Sequence, residues 1–465
     1  MDLPSVFING KAHSLAGVDP HMSLLHFVRD RGLTGTKEGC AEGECGACAV
    51  VQLKGDGEGT RFVPINSCLM LAVGAAGQHF ITSEGVRGSH GEDTLHPVQE
   101  AMVEQGGSQC GYCTPGFVAS LFAEYYRKGR KAEEYDPEAI AGNLCRCTGY
   151  RPIRDALVSL RTPSKDDPTA RRLESPTEEP SAFEAKAGGV GLRRPRTFDE
   201  LWQAFADAPT AKLVAGGTDV AVAINHFNAR FDNIVLLDGI DALKGIDERD
   251  DAIVLGAGVS LSDLEHHFHG RADLPIFDEL FSLFSSRLIR NRATLGGNLV
   301  NASPIGDSPP ALMALDAQVT LAHSEGERTL ELADFFTAYR QTKLQPGEIL
   351  ARVTLPKPLP DVARFYKVSK RVMDDISTVA AGFGLWIEGG RITKARLAYG
   401  GVAATPVRAK DAEALLVGQP LSATGAVLKA LGDAFAPMSD HRGSAEYRQA
   451  MVPRLFEKLA AEVRP

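Results

Sequence analysis

The alternation of apolar and polar positions predicts a small α+β unit at the start of the chain. Residues 5–15 are typical of two short strands joined at Asn9 and Gly10, a pair that strongly favours a tight hairpin turn. Residues 22–31 carry apolar side chains at helical spacing. Two further strands of this unit are predicted at 49–53 and 61–64.

The pattern becomes helical after residue 96. Four segments begin close to a proline, a residue that suits the first turn of a helix. Beyond residue 160 the chain carries four prolines, mixed charges and few large apolar side chains, so 161–192 is predicted to be a linker. The four predicted helices are 97–103, 115–127, 137–143 and 152–160.

Strands and helices alternate through the rest of the chain. Short apolar strands end at glycine or polar residues and are followed by stretches with helical periodicity. A last group of longer strands, with helices after it, predicts a small separate domain. The predicted strands are 212–215, 233–237, 252–255, 364–367, 379–387 and 391–399, and the predicted helices are 261–268 and 274–287.

The composition is that of a multidomain globular protein. The 465 residues are 44% hydrophobic and 23% charged, and this length accommodates about three domains. A net charge of −9 gives no electrostatic basis for binding nucleic acid. No apolar run approaches the roughly 20 residues that span a bilayer, and the N-terminus lacks a secretory signal pattern. We therefore expect a cytoplasmic protein without membrane contact.

The eight cysteines all lie between Cys40 and Cys147. A disulfide framework belongs to short secreted chains, so these thiols need another chemical role. Cys40, Cys45 and Cys48 have the spacing of a plant-type [2Fe-2S] site, with Cys68 as the distant fourth ligand. Glycines between the ligands let the backbone curl around a cluster, whereas a structural zinc site would not need them.

A second set combines Cys110 and Cys113 with Cys145 and Cys147. A Cys-x-x-Cys pair alone is also typical of a redox dithiol or of half a zinc site. The additional Cys-x-Cys favours a metal. The residues of this set leave both zinc and iron–sulfur open.

A glycine pair follows the predicted strand at 212–215. Gly216 and Gly217, followed by Thr218 and Asp219, allow the backbone to approach a diphosphate closely and to turn N–H groups toward it. A plain turn explains the same residues. The chain has no Gly-x-Gly-x-x-Gly at a strand–helix junction, so a Rossmann dinucleotide site is not indicated.

Longer motifs around the cysteines resemble the molybdenum hydroxylases. Residues 107–116, Gly-Ser-Gln-Cys-Gly-Tyr-Cys-Thr-Pro-Gly, and 143–153, Asn-Leu-Cys-Arg-Cys-Thr-Gly-Tyr-Arg-Pro-Ile, are similar to the second [2Fe-2S] domain of that family. Residues 36–40 and 44–48 are similar to the first. The resemblance implies that the eight cysteines ligate two [2Fe-2S] clusters, the second nearer a molybdenum cofactor and the first nearer a flavin.

Segments of the second half resemble the FAD-binding parts of xanthine dehydrogenases. The similar segments are 213–220, 293–298, 301–307, 347–350 and 366–367. The resemblance implies that the first segment surrounds the FAD diphosphate and ribose, and that Phe284 stacks near the adenine. The implied FAD-binding residues are Leu213, Val214, Ala215, Gly216, Gly217, Thr218, Asp219, Val220, Phe284, Thr294, Gly297, Asn298, Asn301, Asp307, Leu350 and Lys367.

The resemblance covers nearly the whole chain and implies a multidomain α+β fold. We expect a β-grasp, ferredoxin-like [2Fe-2S] domain at 1–85 and a helical [2Fe-2S] bundle at 86–160. After the linker at 161–192, a two-subdomain α+β FAD-binding domain follows at 193–358. A small C-terminal α+β flavoprotein domain completes the chain at 359–465.

The implied function is that of the electron-transfer subunit of a NAD-dependent xanthine dehydrogenase. A molybdopterin-binding large subunit would hydroxylate hypoxanthine and xanthine in purine catabolism, and a dimer of such heterodimers is the family expectation. No catalytic residue is then expected in this chain. The alternatives are the same role in an aldehyde or N-heterocycle hydroxylase, a stand-alone flavin and iron–sulfur NAD(H) reductase, and an iron–sulfur redox sensor.

Two smaller features have competing interpretations. Gln109 is implied by the resemblance to lie beside the pterin of a partner, and a helix-cap hydrogen bond explains it equally well. Arg287, Arg290 and Arg292 form a short basic run. We interpret this run as surface charge rather than as a site for FAD phosphate or a nicotinamide dinucleotide.

Overall fold

The computed structural model describes residues 3–88, 94–164, 166–421 and 425–463. Two compact units make up the chain. The first contains residues 1–240 and 286–293, and the second contains 241–285 and 294–465. Residue Lys165 of the predicted linker lies outside the described residues.

The first unit begins with a five-stranded sheet in the order β2-β1-β5-β3-β4. Asn9 and Gly10 have φ values of +52° and +77°, the left-handed conformation of the predicted hairpin turn. The apolar side of α1 packs into the core of this sheet. The elements are β1 (Val6–Ile8), β2 (Lys11–His13), α1 (Leu24–Arg29), β3 (Ala49–Asp56), β4 (Gly59–Asn66) and β5 (His79–Ile81), with β5 parallel to β1.

Helices form the next part of the first unit. The predicted helix at 137–143 is reduced to a single 3₁₀ turn, Pro137–Ile140. Segment 161–192, predicted as a linker, contains one short helix, one complete strand at 183–187 and the start of another strand at 190. The helices are α2 (Ser83–Gly88), α3 (Pro97–Glu104), α4 (Thr114–Tyr125), α5 (Arg151–Ser159) and α6 (Pro168–Arg172).

A four-stranded sheet in the order β6-β7-β9-β8 completes the first unit. Strands β7, β8 and β9 are parallel, and apolar residues of this sheet share one core with the ferredoxin-like sheet. The elements are β6 (Phe183–Ala187), β7 (Val190–Arg194), α7 (Phe198–Asp207), β8 (Lys212–Val214), α8 (Thr218–Phe227) and β9 (Asn233–Leu236).

The second unit begins with an antiparallel sheet in the order β10-β11-β16-β12-β13. The predicted helix at 274–287 is interrupted, because Ser285 has a φ of +57°. The elements are β10 (Ile246–Glu248), β11 (Ala252–Gly256), α9 (Leu261–Phe268), α10 (Pro275–Phe281), α11 (Arg287–Arg290, in the first unit), α12 (Leu295–Val300), α13 (Ser308–Ala314), β12 (Gln318–His323), β13 (Gly326–Glu331), β14 (Phe336–Ala338), β15 (Gln341–Thr342) and β16 (Ile349–Pro356).

A second antiparallel sheet, in the order β17-β18-β19-β20, forms the C-terminal part of this unit. Its apolar side and the three helices that follow share one core, which contains Phe383, Tyr399, Leu416 and Phe456. The elements are β17 (Val362–Val368), β18 (Val379–Glu388), β19 (Arg391–Gly400), β20 (Val407–Arg408), α14 (Lys410–Leu416), α15 (Gly425–Asp433) and α16 (Ala445–Glu462).

The multidomain α+β class is confirmed. Sheets and helices occur in the predicted succession, and the division between the two units falls inside the predicted FAD-binding region, after Ile240. Within the described ranges, no helix combines the length and apolar character needed to cross a membrane.

Candidate iron–sulfur and flavin sites

The first cysteine set is built from a glycine-rich loop and a distant turn. Three of the cysteines lie between α1 and β3, and Cys68 lies in the 3₁₀ turn after β4. The sulfurs of Cys48 and Cys68 are 3.2 Å apart, and the amide of Cys45 donates to the sulfur of Cys40 over 3.4 Å. A Cβ at Gly39 would lie 2.6 Å from the Cys45 sulfur, so glycine leaves that space to the sulfur.

The thiols of the first set are paired through hydrogen bonds. The bond from the Cys45 thiol lowers the pKa of Cys40 to about 5, and the same bond raises the pKa of Cys45. The bond with Cys48 raises the pKa of Cys68, and burial adds to this effect. The lowered pKa of Cys40 favours the thiolate, the form in which cysteine binds metals.

The second cysteine set lies where α4 begins and where the 143–150 loop returns to it. Cys145 is buried, whereas Cys110 and Cys147 are exposed. The N–H of Tyr112 and the bond with Cys147 lower the pKa of Cys110. Burial and the bond with Cys145 raise the pKa of Cys113 to about 12. The four thiols thus converge as two pairs.

Pairing of the thiols fits a two-iron cluster. A [2Fe-2S] cluster takes two protein ligands at each iron, whereas a structural zinc ion takes all four at one point. The pairs are Cys40 with Cys45, Cys48 with Cys68, Cys110 with Cys147, and Cys113 with Cys145.

The two cysteine sets are in backbone contact. The N–H of Leu144, the residue before Cys145, donates to the carbonyl oxygen of Cys45 over 2.9 Å. A Cβ at Gly46 would lie 2.2 Å from the carbonyl oxygen of Gly142. Only a residue without a side chain allows the two loops to approach this closely. A through-bond path from Cys145 to Cys45 therefore includes one hydrogen bond, the one from Leu144 to Cys45.

The predicted diphosphate segment 213–220 forms a strand end, a turn and the first turn of a helix. Leu213 and Val214 end β8, and Thr218 begins α8. Gly217 is the N-cap residue of α8, has a φ of +83°, and supplies no side chain to the cap. The N-cap residue therefore offers no side-chain acceptor to the first backbone N–H groups of α8, which suits a phosphate.

The turn is held against the segment that joins α11 to α12. A Cβ at Gly216 would lie 1.9 Å from the carbonyl oxygen of Arg292, so no side chain fits there. The Arg292 guanidinium in turn donates to the carbonyl oxygen of Gly216, over 3.1 Å from one of its nitrogens. This close-packed glycine turn fits the tight backbone approach that a dinucleotide diphosphate requires.

Other predicted FAD residues lie in the second unit, several of them on α12. Thr294 is the N-cap residue of that helix and accepts the N–H of Gly297 over 3.1 Å. Asn301 is its C-cap residue. The buried Oδ1 atom of Asn298 has no hydrogen-bond partner among the residues that the structure describes, and such an atom fits a bound polar ligand. Leu350 lies in β16 and is buried.

Asp307 and Lys367 form a buried ion pair in the second unit. Their charged atoms are 2.8 Å apart, and Lys367 also donates to the carbonyl oxygen of Leu283. Ser377 donates to the other oxygen of Asp307. Burial raises the pKa of Asp307 although Lys367 opposes this shift. The half-buried Phe284 follows Leu283 in the chain. Direct FAD contact by these residues stays a prediction.

The interpretation of the basic run as surface charge is wrong. Arg290 is fully buried and pairs with Glu138 over 2.9 Å, and Arg287 pairs with Asp136 over 2.6 Å. Arg292 binds the glycine turn described above. These arginines attach segment 286–293 to the helical part of the first unit. Their carboxylate partners are distant in the sequence, which is why the run itself did not reveal them.

Three further polar residues are relevant to the sequence-based predictions for the cysteine sets: Gln109, Asn143 and Asn225. Gln109 is exposed, and the cap hydrogen bond considered for it does not occur among the described residues. Asn143 and Asn225 were not singled out from the sequence, yet each donates to the backbone of the first cysteine loop. The position of Asn143 two residues before Cys145 was the one available signal.

Four family models match successive parts of the chain. A "2Fe-2S iron-sulfur cluster binding domain" matches 6–73, and a "[2Fe-2S] binding domain" matches 82–158. A "FAD binding domain in molybdopterin dehydrogenase" matches 186–358, and a "CO dehydrogenase flavoprotein C-terminal domain" matches 364–463. Each cysteine set falls inside one [2Fe-2S] domain. All the predicted FAD residues except Lys367 fall inside the FAD-binding domain.

Curated relatives include xanthine dehydrogenases. Xanthine dehydrogenase 2 of Arabidopsis thaliana is 32% identical over 89% of this chain, and the xanthine dehydrogenase of Emericella nidulans is 30% identical over 98% of it. This chain spans 36% and 38% of the length of these two relatives. Among solved structures, quinoline 2-oxidoreductase from Pseudomonas putida 86 superposes with a TM-score of 0.54 at 26% identity, covering 60% of this chain and 98% of that one.

Fold, paired thiols and family matches define an electron-transfer module with two [2Fe-2S] domains and one FAD domain. The chain belongs to the molybdenum hydroxylase family, and its four domains match the [2Fe-2S] and FAD part of xanthine dehydrogenases.

Proposed function

We propose that this chain is the electron-transfer part of a NAD-dependent xanthine dehydrogenase. Electrons enter at the second cysteine set, pass to the first set, and leave through FAD to NAD+. The observation that carries the proposal is the succession of contacts in the first unit. Leu144 joins the second set to the first, and helix α8 joins the carbonyl groups of the first set to the Gly216 turn.

The exposed face of the second set supports a partner that delivers the electrons. Cys110 and Cys147 are exposed, and the large side chains of Tyr112, Leu144 and Tyr150 beside them are exposed as well. Apolar groups around ligand sulfurs favour burial against another protein, which would also keep water from the cluster. We assign this face to a molybdopterin-binding large subunit, with Gln109 toward its pterin.

Residues of this chain bind and orient the flavin rather than perform acid–base chemistry. When bound, FAD supplies the conversion between single electrons and a two-electron hydride. The first N–H groups of α8 would hold its diphosphate, and the Gly216 turn would allow the close approach.

The proposed reducing substrates are hypoxanthine and xanthine, hydroxylated in the partner. The two xanthine dehydrogenases named above carry regions similar to 89% and 98% of this chain within one polypeptide, whereas the quinoline 2-oxidoreductase chain matches 60% of it. The combination of both cluster domains with the FAD domain thus favours the xanthine dehydrogenases. We expect the complex to be cytoplasmic and to form a dimer of heterodimers.

The second candidate function is the same electron-transfer role in another molybdenum hydroxylase. The observation that favours it is the structural similarity to quinoline 2-oxidoreductase and to CO dehydrogenase from Oligotropha carboxidovorans, the latter with a TM-score of 0.54 at 29% identity over 60% of this chain and 98% of that one. An N-heterocycle, an aldehyde or carbon monoxide would then be the reductant.

The deciding experiment is purification of this chain with its native partners, followed by reduction with xanthine, an aldehyde, quinoline or carbon monoxide. We expect a co-purifying molybdenum protein, bleaching of the flavin and iron–sulfur absorption by xanthine, and NADH formation. Bleaching by another reductant alone would support the second candidate. A chain that binds no molybdenum protein and reduces dyes with NADH would contradict both and support a stand-alone reductase.

A further inference from the structure

A single side chain of helix α8 holds two separate parts of the first cysteine set. The carboxamide nitrogen of Asn225 donates to the carbonyl oxygen of Ala41 over 2.8 Å and to that of Cys68 over 3.0 Å. Ala41 follows the ligand Cys40 in the glycine-rich loop, and Cys68 belongs to the distant turn. Both hydrogens of one amide group are thereby used to fix the distant ligand to the loop.

The rest of α8 is also in contact with this set. The ring nitrogen Nε2 of His226 is 3.0 Å from the carbonyl oxygen of Cys40. Ala221, one turn earlier, lies in a small apolar cluster with Cys48 and Cys68. The same helix begins at Gly217, where a Cβ would lie 3.4 Å from the carbonyl oxygen of Leu69, the residue after Cys68. One face of α8 therefore forms part of the cluster's immediate surroundings.

We infer that Asn225 is a positioning residue for the first cluster, so that the flavin-binding region completes the ligand cage of the ferredoxin-like domain. The inference rests on the proposed function because it requires a [2Fe-2S] cluster at Cys40, Cys45, Cys48 and Cys68. It goes beyond that function by assigning control of the cluster to a residue outside its own domain.

The physical reason is electrostatic as well as geometric. The positive ends of two N–H dipoles point at carbonyl groups attached to the ligand segments. Withdrawal of electron density from these groups stabilises the reduced, more negative cluster, since hydrogen bonds and local dipoles around a cluster tune its potential. Loss of the amide would leave two carbonyl groups without this partner and would allow Cys68 to move relative to the loop.

The test is Asn225→Leu in the complete enzyme, with Asn291→Leu as matched control. Asn291 donates to the carbonyl oxygen of Pro64 over 2.7 Å, an amide-to-carbonyl bond of the same kind in the same unit. Both [2Fe-2S] signals are followed by electron paramagnetic resonance during a redox titration. Cys48→Ser, which alters only the first signal, assigns the two signals to the two sets.

We expect Asn225→Leu to shift the midpoint potential of the first cluster to a more negative value and to slow reduction of FAD from that cluster. The midpoint potential of the second cluster and the FAD content should remain unchanged in Asn225→Leu. In Asn291→Leu, the midpoint potentials of both clusters should remain unchanged. Asn225→Gln, which restores an amide donor, should recover part of the shift. Because it retains polarity, it also serves as the test variant if Asn225→Leu does not fold, and it should then show a smaller shift of the first cluster in the same direction.

Unchanged potential of the first cluster in every foldable Asn225 variant would overturn the inference. Equal shifts in Asn225→Leu and Asn291→Leu would overturn it too, because the effect would then be a general loss of packing. Failure of the proposed function is distinguishable from both outcomes, because the unaltered enzyme would then lack the [2Fe-2S] signals or would not form NADH when xanthine is added.

Discussion

The carboxamide of Asn143 donates to the carbonyl oxygen of Gly46 over 3.1 Å and so joins the loops that carry the two cysteine sets. The other end of this carboxamide accepts the hydroxyl of Ser120 over 2.7 Å, and Asn143 is only 2% exposed. One buried side chain therefore connects the loop of the first set, the loop of the second set and helix α4.

Replacement of Asn143 should destabilise the contact between the cluster domains. Asn143→Leu leaves the buried Ser120 hydroxyl without this partner, a loss that costs about 1–3 kcal/mol. It also removes one of the two donors to the Gly46 carbonyl, which keeps the N–H of Ala49. Asn143→Asp keeps the acceptor for Ser120 and loses only the donor, but it buries a charge. Urea unfolding measures the change in the free energy of unfolding. A decrease of less than about 0.5 kcal/mol for Asn143→Leu would show that the contact contributes little to stability.

Gly216→Ala should impair FAD binding without affecting iron. The new Cβ would lie 1.9 Å from the Arg292 carbonyl oxygen, so the turn must shift. We expect the dissociation constant of FAD to rise by about tenfold or more, equivalent to about 1.4 kcal/mol. Fluorescence titration of the FAD-depleted protein measures this change. Gly432→Ala in α15, where a Cβ meets no atom within 4 Å, is the control and should bind FAD normally.

Cys113→Ser should separate the two halves of the electron path. Loss of the second cluster would abolish electron flow from the reducing substrate to NAD+, whereas NADH would still reduce an artificial dye through FAD. Steady-state assays of both reactions provide the measurement. Thr114→Ala changes the neighbouring residue and removes only an exposed hydrogen bond to Ser108, so it should keep both activities. If Cys113→Ser lost dye reduction with FAD still bound, the proposed order of carriers would be wrong.

Removal of iron by a chelator should occur in two phases when this chain is separated from its partner. Cys110 and Cys147 are exposed, whereas Cys48 and Cys68 are buried, so the second cluster should be lost first. Addition of the molybdenum partner should suppress the fast phase, because the proposed docking face covers the exposed sulfurs. A fast phase that is unaffected by the partner would argue against docking at that face.

The sequence identified the cysteine sets because ligand spacing is a local property. Which thiols pair, Cys40 with Cys45 and Cys48 with Cys68, depends on how a loop meets a turn and required the structure. The predicted hairpin at Asn9 was confirmed for the same local reason.

Residues whose partners are distant in the chain escaped prediction. Asn143 bonds a residue 97 positions away, and Asn225 bonds one 184 positions away. Arg290 was interpreted as surface charge although Glu138 neutralises it in the interior. The helical pattern of 274–287 also concealed the left-handed Ser285, because apolar periodicity does not report a local backbone reversal.

The central claim is that this chain carries two [2Fe-2S] clusters and one FAD in one electron path. Iron, acid-labile sulfide and flavin analysis, combined with electron paramagnetic resonance of the dithionite-reduced protein, tests it most directly. The account predicts about four irons, one FAD and two distinct [2Fe-2S] signals per chain, one altered by Cys48→Ser and the other by Cys113→Ser. Zinc in place of iron at either set, or a single signal that responds to both substitutions, would contradict it.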